Sequence, residues 1–218
     1  MTAEHALRDE LCRVGRSLFD RGYVHATAGN ISARLGDGGF LITPTDACLG
    51  SLDPAALAHI DRTGQQTAGE LASKTLALHR RIYAADTNAG CVIHTHSTHL
   101  VALSLIGGAA PDEFLPPITP YFVMKVGRVP LIPYHRPGDP AVAACVEEAM
   151  QQGQRRGVPI RAMMLARLGP LVWHRTPAAA MAVLEELEET ARLWLLARPT
   201  PLAATQIEEL RQTFGARW

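Results

Sequence analysis

Val92-Ile93-His94-Thr95-His96-Ser97 puts two imidazoles on alternate residues of an apolar run. In a β-strand, residues two apart leave the same face, so both rings can reach one ion. Neutral imidazole is the commonest ligand for zinc-like metals, and catalytic zinc sites commonly use three protein ligands and one open position. His94 and His96 supply two. Hydrogen-bonded core histidines would show the same spacing, so the third ligand decides between the readings.

A second group of residues could hold an oxyanion. In Thr27-Ala28-Gly29-Asn30-Ile31-Ser32, a Gly-Asn pair is flanked by hydroxyls with little side-chain bulk. Backbone amides and the side chains of Thr27, Asn30 and Ser32 can converge there on a phosphate. A plain hairpin turn would have the same composition. Thr43-Pro44-Thr45 and Ala72-Ser73-Lys74 add hydroxyls and a cation, although Lys74 alone reads as a solvated surface residue.

These residues need elements to position them. Leu7, Leu11, Val14, Leu18 and Phe19 recur at helical spacing and predict an amphipathic helix over 3–20. Alternation on both sides of "GDGG" predicts a β-hairpin, 53–60 a short helical turn or strand, and "RTGQQTAGE" a loop. A helix over 73–83 leads into "GCVIHTHS" as a buried strand, followed by a helix over 98–106. "FLPPITPYFVMKVGRVPLIPYHRPGD", with its prolines, reads as strands and turns rather than helix. Asp139 followed by Pro140 marks the start of another helix, "RAMMLARLGPLVW" gives two strands around a Gly-Pro turn, and 177–197 gives the last long helix. Helices interleaved with hairpins imply an α/β fold with a mixed, largely antiparallel sheet covered by helices.

Composition narrows the function. The 218 residues suit a single domain, and 21 Lys plus Arg balance 21 Asp plus Glu. No global field draws such a chain to nucleic acid or to an anionic membrane, so a small-molecule site is expected. The apolar runs fall short of the roughly 20 residues that span a bilayer, and "MTAEHALRDELCRVG" lacks the apolar centre of a signal peptide, so a cytoplasmic location is expected. Cys12, Cys48, Cys91 and Cys145 form no C-x-x-C pair and read as ordinary buried thiols.

In order and spacing, "TAGNIS", "TPT", the Ser73 region and "HTHS", together with "GSLDP", "ITPYFVMKVGRVPLIPYHRPGD" and "LEELEETARL", resemble the class II aldolase/adducin family, on the side of its bacterial sugar-acid phosphate decarboxylases. The resemblance covers nearly the whole chain. It implies a three-layer α/β/α sandwich, 1–218 as one domain, and a homotetramer with active sites between subunits. It implies a divalent metal, zinc above others, and a lyase that decarboxylates or cleaves a phosphorylated sugar acid. By position, His94 and His96 match metal ligands. Thr27, Gly29, Asn30, Ser32, Thr43, Ser73 and Lys74 match the phosphate-binding region. Tyr121 matches a proton donor reaching into the neighbouring site, and His135 is a second candidate for proton transfer.

Two positions depart from the family's pattern. Its third metal histidine falls on Leu168, with Arg167 at the preceding asparagine, and its acid/base glutamate falls on Thr75. Leucine binds no metal, and a threonine hydroxyl is no base near neutral pH. Loss of a ligand predicts partial metal occupancy. His135, His99 and Glu70 are candidate replacements, whereas His174 lies on the order of 15 Å along the hairpin. Arg167 could bind the substrate's carboxylate or phosphate directly. A non-catalytic binding or assembly module, like the adducin branch, stays open as the alternative.

Overall fold

The computed structural model describes residues 2–218, which form two compact units. The first comprises residues up to His96 together with Trp173–Met181. It opens with α1 (Ala3–Asp20), whose N-terminus is capped by the Thr2 hydroxyl accepting from the His5 amide at 3.3 Å. The apolar stripe of α1 buries Leu11, Val14 and Leu18. Gly15 lets the helix lie against a 3-10 turn at Leu49–Ser51, since a Cβ there would stand 2.8 Å from the Leu49 carbonyl oxygen.

Five strands follow in this unit: β1 (Asn30–Arg34), β2 (Phe40–Ile42), β3 (Ala58–Ile60), β4 (Gln66–Ala68) and β5 (Cys91–His94). They lie in the order β4-β3-β2-β1-β5, every pair antiparallel. The hairpin expected around "GDGG" is β1–β2, in the register Ser32 to Ile42 and Arg34 to Phe40. Helix α2 (Leu76–Ala85) buries His79, Ile82 and Tyr83. Arg34 lays its guanidinium 5.0 Å over the Tyr83 ring and donates to the Tyr83 carbonyl at 2.7 Å.

The second unit comprises Ser97–Val172 and Ala182–Trp218. It holds α3 (Thr98–Ile106), a π-helical turn at Phe122–Val126, β6 (Leu131–Ile132), α4 (Ala141–Arg155), β7 (Ala162–Leu165), most of β8 (Gly169–His174), most of α5 (Pro177–Ala197) and α6 (Ala204–Phe214). β7 pairs antiparallel with β8 and parallel with β6. The sheet is therefore mixed and largely antiparallel, as the sequence predicts. Phe122 is fully buried and meets Trp218 edge-on at 5.5 Å.

Glu188 of α5 is buried, 4% exposed, and supplies the acceptor for the first turn of α3. Its Oε1 takes the His99 amide at 3.0 Å and stands 2.8 Å from His99 Nδ1, while its Oε2 takes the Leu100 amide at 3.2 Å. Those amides have no partner within a helix, so a carboxylate at this end satisfies them and the helix dipole together.

Several local expectations need correction. "RTGQQTAGE" contains β4 (Gln66–Ala68), which two polar residues and its slight burial concealed. The proline-rich stretch contains helix after all, because Pro120 stands at its first position, where no amide donor is needed. Gly169-Pro170 lies within β8, and the turn falls on Ala166–Leu168. Of the four cysteines only Cys91 is fully buried.

Candidate active site

Antiparallel order in the first unit brings the start of β1 and the ends of β2 and β5 to one edge of the sheet. Asn30, the first residue of β1, lies opposite His94, the last of β5. Thr43 follows β2 and donates its amide to the Ile31 carbonyl at 3.0 Å. Ser73 donates its amide to the Thr43 carbonyl at 3.2 Å, next to a bridge between Pro44 and Ala72. Four segments distant in sequence thus present Asn30, Thr43, Ser73 and His94 at the same end.

Directly opposed residues share a face of the sheet, so Asn30, Ser32 and His94 point the same way. That face carries α2. The Ser32 hydroxyl lies 2.8 Å from His79 Nδ1 and 2.8 Å from the Tyr83 hydroxyl. Burial pushes His79 down to about 3, with the nearby His94 imidazole adding to the shift, so the ring is neutral at physiological pH. Burial likewise raises Tyr83 well above its ordinary value. Ser32 therefore serves α2. The Oδ1 of Asn30 and the Nε2 of His79 are buried and find no partner among the described residues. Such groups are rare, and at a ligand site a bound molecule explains them.

His94 is 7% exposed, and the chain leaves the ladder after it, so His96 stands beyond the strand and is half-buried. Its ring centroid lies 5.1 Å from that of His94, at 61°. The exposed His25 ring also stands near His96, at 6.4 Å and 81°. Burial first, and His25 second, lower the pKa of His96 and favour the neutral, ligating form. Gly29 holds this neighbourhood together at φ 85°: a Cβ there would stand 2.8 Å from Val24 Cγ1 and 2.9 Å from the His94 carbonyl oxygen. Glycine is required for conformation and for space.

The remaining sequence-predicted residues are placed as follows. Thr27 and Lys74 are exposed, and Thr43 is buried with its hydroxyl accepting from the Ile31 amide at 3.2 Å. The Ser73 hydroxyl lies 3.0 Å from that of Thr75. In the second unit Tyr121 is 62% exposed, just before the π-helical turn. Arg167 is exposed at φ 66° in the β7–β8 turn, its amide bonded to the Ser104 hydroxyl at 3.0 Å. His135 lies between Asp139, at 3.7 Å from Nδ1, and Cys145, at 3.9 Å from Nε2. Of the other candidate ligands, His99 is occupied by Glu188 and Glu70 is exposed.

A divalent ion is the group these histidines imply. Two imidazoles on one tetrahedral zinc, with nitrogens about 2.0–2.1 Å from it, place their ring centroids about 5 Å apart. The His94–His96 separation of 5.1 Å suits that. Among the described residues no ready group of three His, Cys, Asp or Glu side chains converges on one ion. The pair fits, and a third donor has to move in to complete a three-ligand set.

Sequence reasoning passed over His25, His79 and Glu188. His79 carries a signal, since its helical spacing puts a histidine on the apolar face of α2. His25 carries none, because its nearness to His96 exists only after folding.

Comparison with known proteins places this geometry. Residues 9–195 match the family described as Class II Aldolase and Adducin N-terminal domain. A 3-oxo-tetronate 4-phosphate decarboxylase from Cupriavidus necator is 54% identical over all of both chains. One from Escherichia coli K12 is 40% identical, over 95% of this chain and 96% of its own. The crystal structure of YgbL from Escherichia coli superposes with a TM-score of 0.89 at 39% identity, covering 96% of this chain and all of that one. An L-fuculose 1-phosphate aldolase, at 22% identity, shares the fold with a TM-score of 0.80.

Proposed function

The chain belongs to the class II aldolase and adducin family, and from that premise we propose that it is a carbon–carbon lyase that decarboxylates a phosphorylated 3-oxo sugar acid of the 3-oxo-tetronate 4-phosphate type. The observation that carries the reading is the convergence of His94, His96 and the unpartnered Oδ1 of Asn30 at one end of the sheet.

In a 3-oxo acid the C1–C2 bond breaks, CO2 leaves, and the electron pair passes into C2–C3 as an enolate on the ketone oxygen. A proton then arrives at C2 and yields a three-carbon ketose phosphate. A divalent ion on His94 and His96, zinc in this reading, would supply Lewis-acid polarisation of the ketone. The rest falls to the chain. Gly29, Asn30, Thr27, Thr43, Ser73 and Lys74 bind the phosphate, Thr43 through its backbone since its hydroxyl is already engaged. Ser32 acts at one remove, through His79. Arg167 takes the carboxylate as a bidentate partner. Tyr121, from a neighbouring subunit of a homotetramer, delivers the proton to C2, with His135 as the second candidate.

Thr75 favours decarboxylation over aldol cleavage. Retro-aldol cleavage needs a base to take a hydroxyl proton, whereas a 3-oxo carboxylate loses CO2 without one. The single-domain reading of residues 1–218 belongs to this proposal, supported by one family match spanning 9–195. A cytoplasmic location belongs to it as well, and among the described residues no helix is long and apolar enough to cross a membrane.

The test is CO2 release and triose phosphate formation from 3-oxo-tetronate 4-phosphate, with and without added zinc. Turnover by the wild type that His94→Ala abolishes is the expected result. Release no faster than the spontaneous background would overturn the reading and favour the binding module.

A further inference from the structure

We infer that His25 is the third metal ligand of this chain, standing in for the imidazole absent at position 168. The inference rests on the metal-dependent reading above and concerns which side chain completes the set.

Three observations carry it. His25 is an imidazole beside His96, with its ring at 6.4 Å and edge-on. The gap exceeds by little more than about 1 Å the ring separation that a shared tetrahedral ion sets. His25 is exposed, so its ring can swing about χ1 without displacing packed neighbours.

The backbone around it is also held. Val24 is buried against Gly29, whose own Cβ position abuts the His94 carbonyl. Immediately after His25 a tight turn closes, with the Ala28 amide donating to the His25 carbonyl at 2.9 Å and Ala26 at φ 47°. An alanine in that region is strained, and a tight turn that holds a non-glycine residue there is characteristic of sites where a side chain has to be aimed. The turn fixes the backbone next to His25, while its ring is exposed.

Two of the competing donors, His99 and His135, are engaged elsewhere. Glu188 holds His99, and His135 stands between Asp139 and Cys145. With His25 the set becomes three neutral imidazoles, which leaves one position of a tetrahedral zinc for a substrate oxygen.

The experiment uses the full-length protein without a histidine tag and measures zinc affinity by competition with a chromophoric chelator. The visible spectrum of the cobalt-loaded form is recorded in parallel. Wild type is compared with His25→Ala, His25→Gln and His94→Ala, each checked by circular dichroism. The inference predicts that both His25 variants fold normally, bind zinc at least 10- to 100-fold more weakly, and lose cobalt absorption intensity, while His94→Ala loses binding altogether. If the His25 variants match wild type in affinity and spectrum while His94→Ala does not, His25 is no ligand and the metal-dependent reading stands. Wild type that binds zinc no better than His94→Ala would overturn both.

Discussion

Glu188 and the Asn30–His79 pair are buried polar groups treated in opposite ways. Around Glu188 the pairing is complete: one oxygen serves the His99 amide and ring, the other the Leu100 amide. Around Asn30 and His79, by contrast, the Oδ1 of the first is left over among the described residues, and the second has its Nδ1 beside Ser32 with its Nε2 left over. A buried group whose bonding capacity is exhausted holds a fold in one arrangement. One that keeps capacity in reserve, at an edge where four segments converge, is available to something outside the chain. Burial alone does not separate structure from function, and neither does unspent valence, which His59 and Trp173 also show; the two together with converging segments mark this end of the sheet.

Substitutions should sharpen that contrast. The largest effect belongs to the reserve side: His94→Ala should lower kcat/KM for decarboxylation at least 100-fold, with far-UV circular dichroism unchanged. A variant within tenfold of wild type would break the assignment. On the saturated side, Glu188→Ala should leave activity to follow folding and should cost about 2–3 kcal/mol in urea denaturation, the worth of hydrogen bonds to a charged acceptor. Glu188→Gln should recover part of this, because an amide oxygen still accepts.

His79 gives the next effect, through pH. Its folded pKa of about 3 lies below the ordinary 6.5, so the unfolded chain binds a proton there that the folded chain refuses. The contribution is complete above pH 6.5 and is lost as pH falls towards 3, at about 1.4 kcal/mol per unit. Between pH 6.5 and 5 this amounts to about 2 kcal/mol, and His79→Asn should remove that part of the slope in stability against pH. A slope identical in the variant would show that other groups carry it. The smallest effect on stability belongs to Tyr121→Phe, within about 0.5 kcal/mol because the side chain is exposed, while decarboxylation should fall through loss of the proton donor.

Much of the architecture was legible from periodicity. The helices at 3–20, 98–106 and 177–197 and the hairpin around "GDGG" stand where the apolar spacing put them. What escaped had weak burial or a misleading breaker: β4 is three mostly exposed residues, α6 (Ala204–Phe214) buries none of its residues fully and drew no assignment, and Pro120 opens a helix where proline usually argues against one. At the site, alternation identified His94, and the register explains why Asn30 belongs with it. His96 was paired with His94 as a residue of the same strand, whereas it lies past the strand's end, with its ring 5.1 Å from that of His94. Thr43 and Ser32 read as anion ligands by type alone, yet an amide and α2 already engage their hydroxyls. Type and spacing reveal which atoms could bind; only the fold reveals which are already taken.

The Glu188 clamp has a consequence for how the chain is made. Glu188 follows His99 by 89 residues, so α3 emerges from the ribosome long before its acceptor exists. During that interval the helix that begins two residues after His96 has no partner for its leading amides. Its first turn should fray until residue 188 has been synthesised. Nascent chains arrested before α5 should accordingly be cut by proteases near residues 97–100, and that sensitivity should vanish once residue 188 clears the exit tunnel.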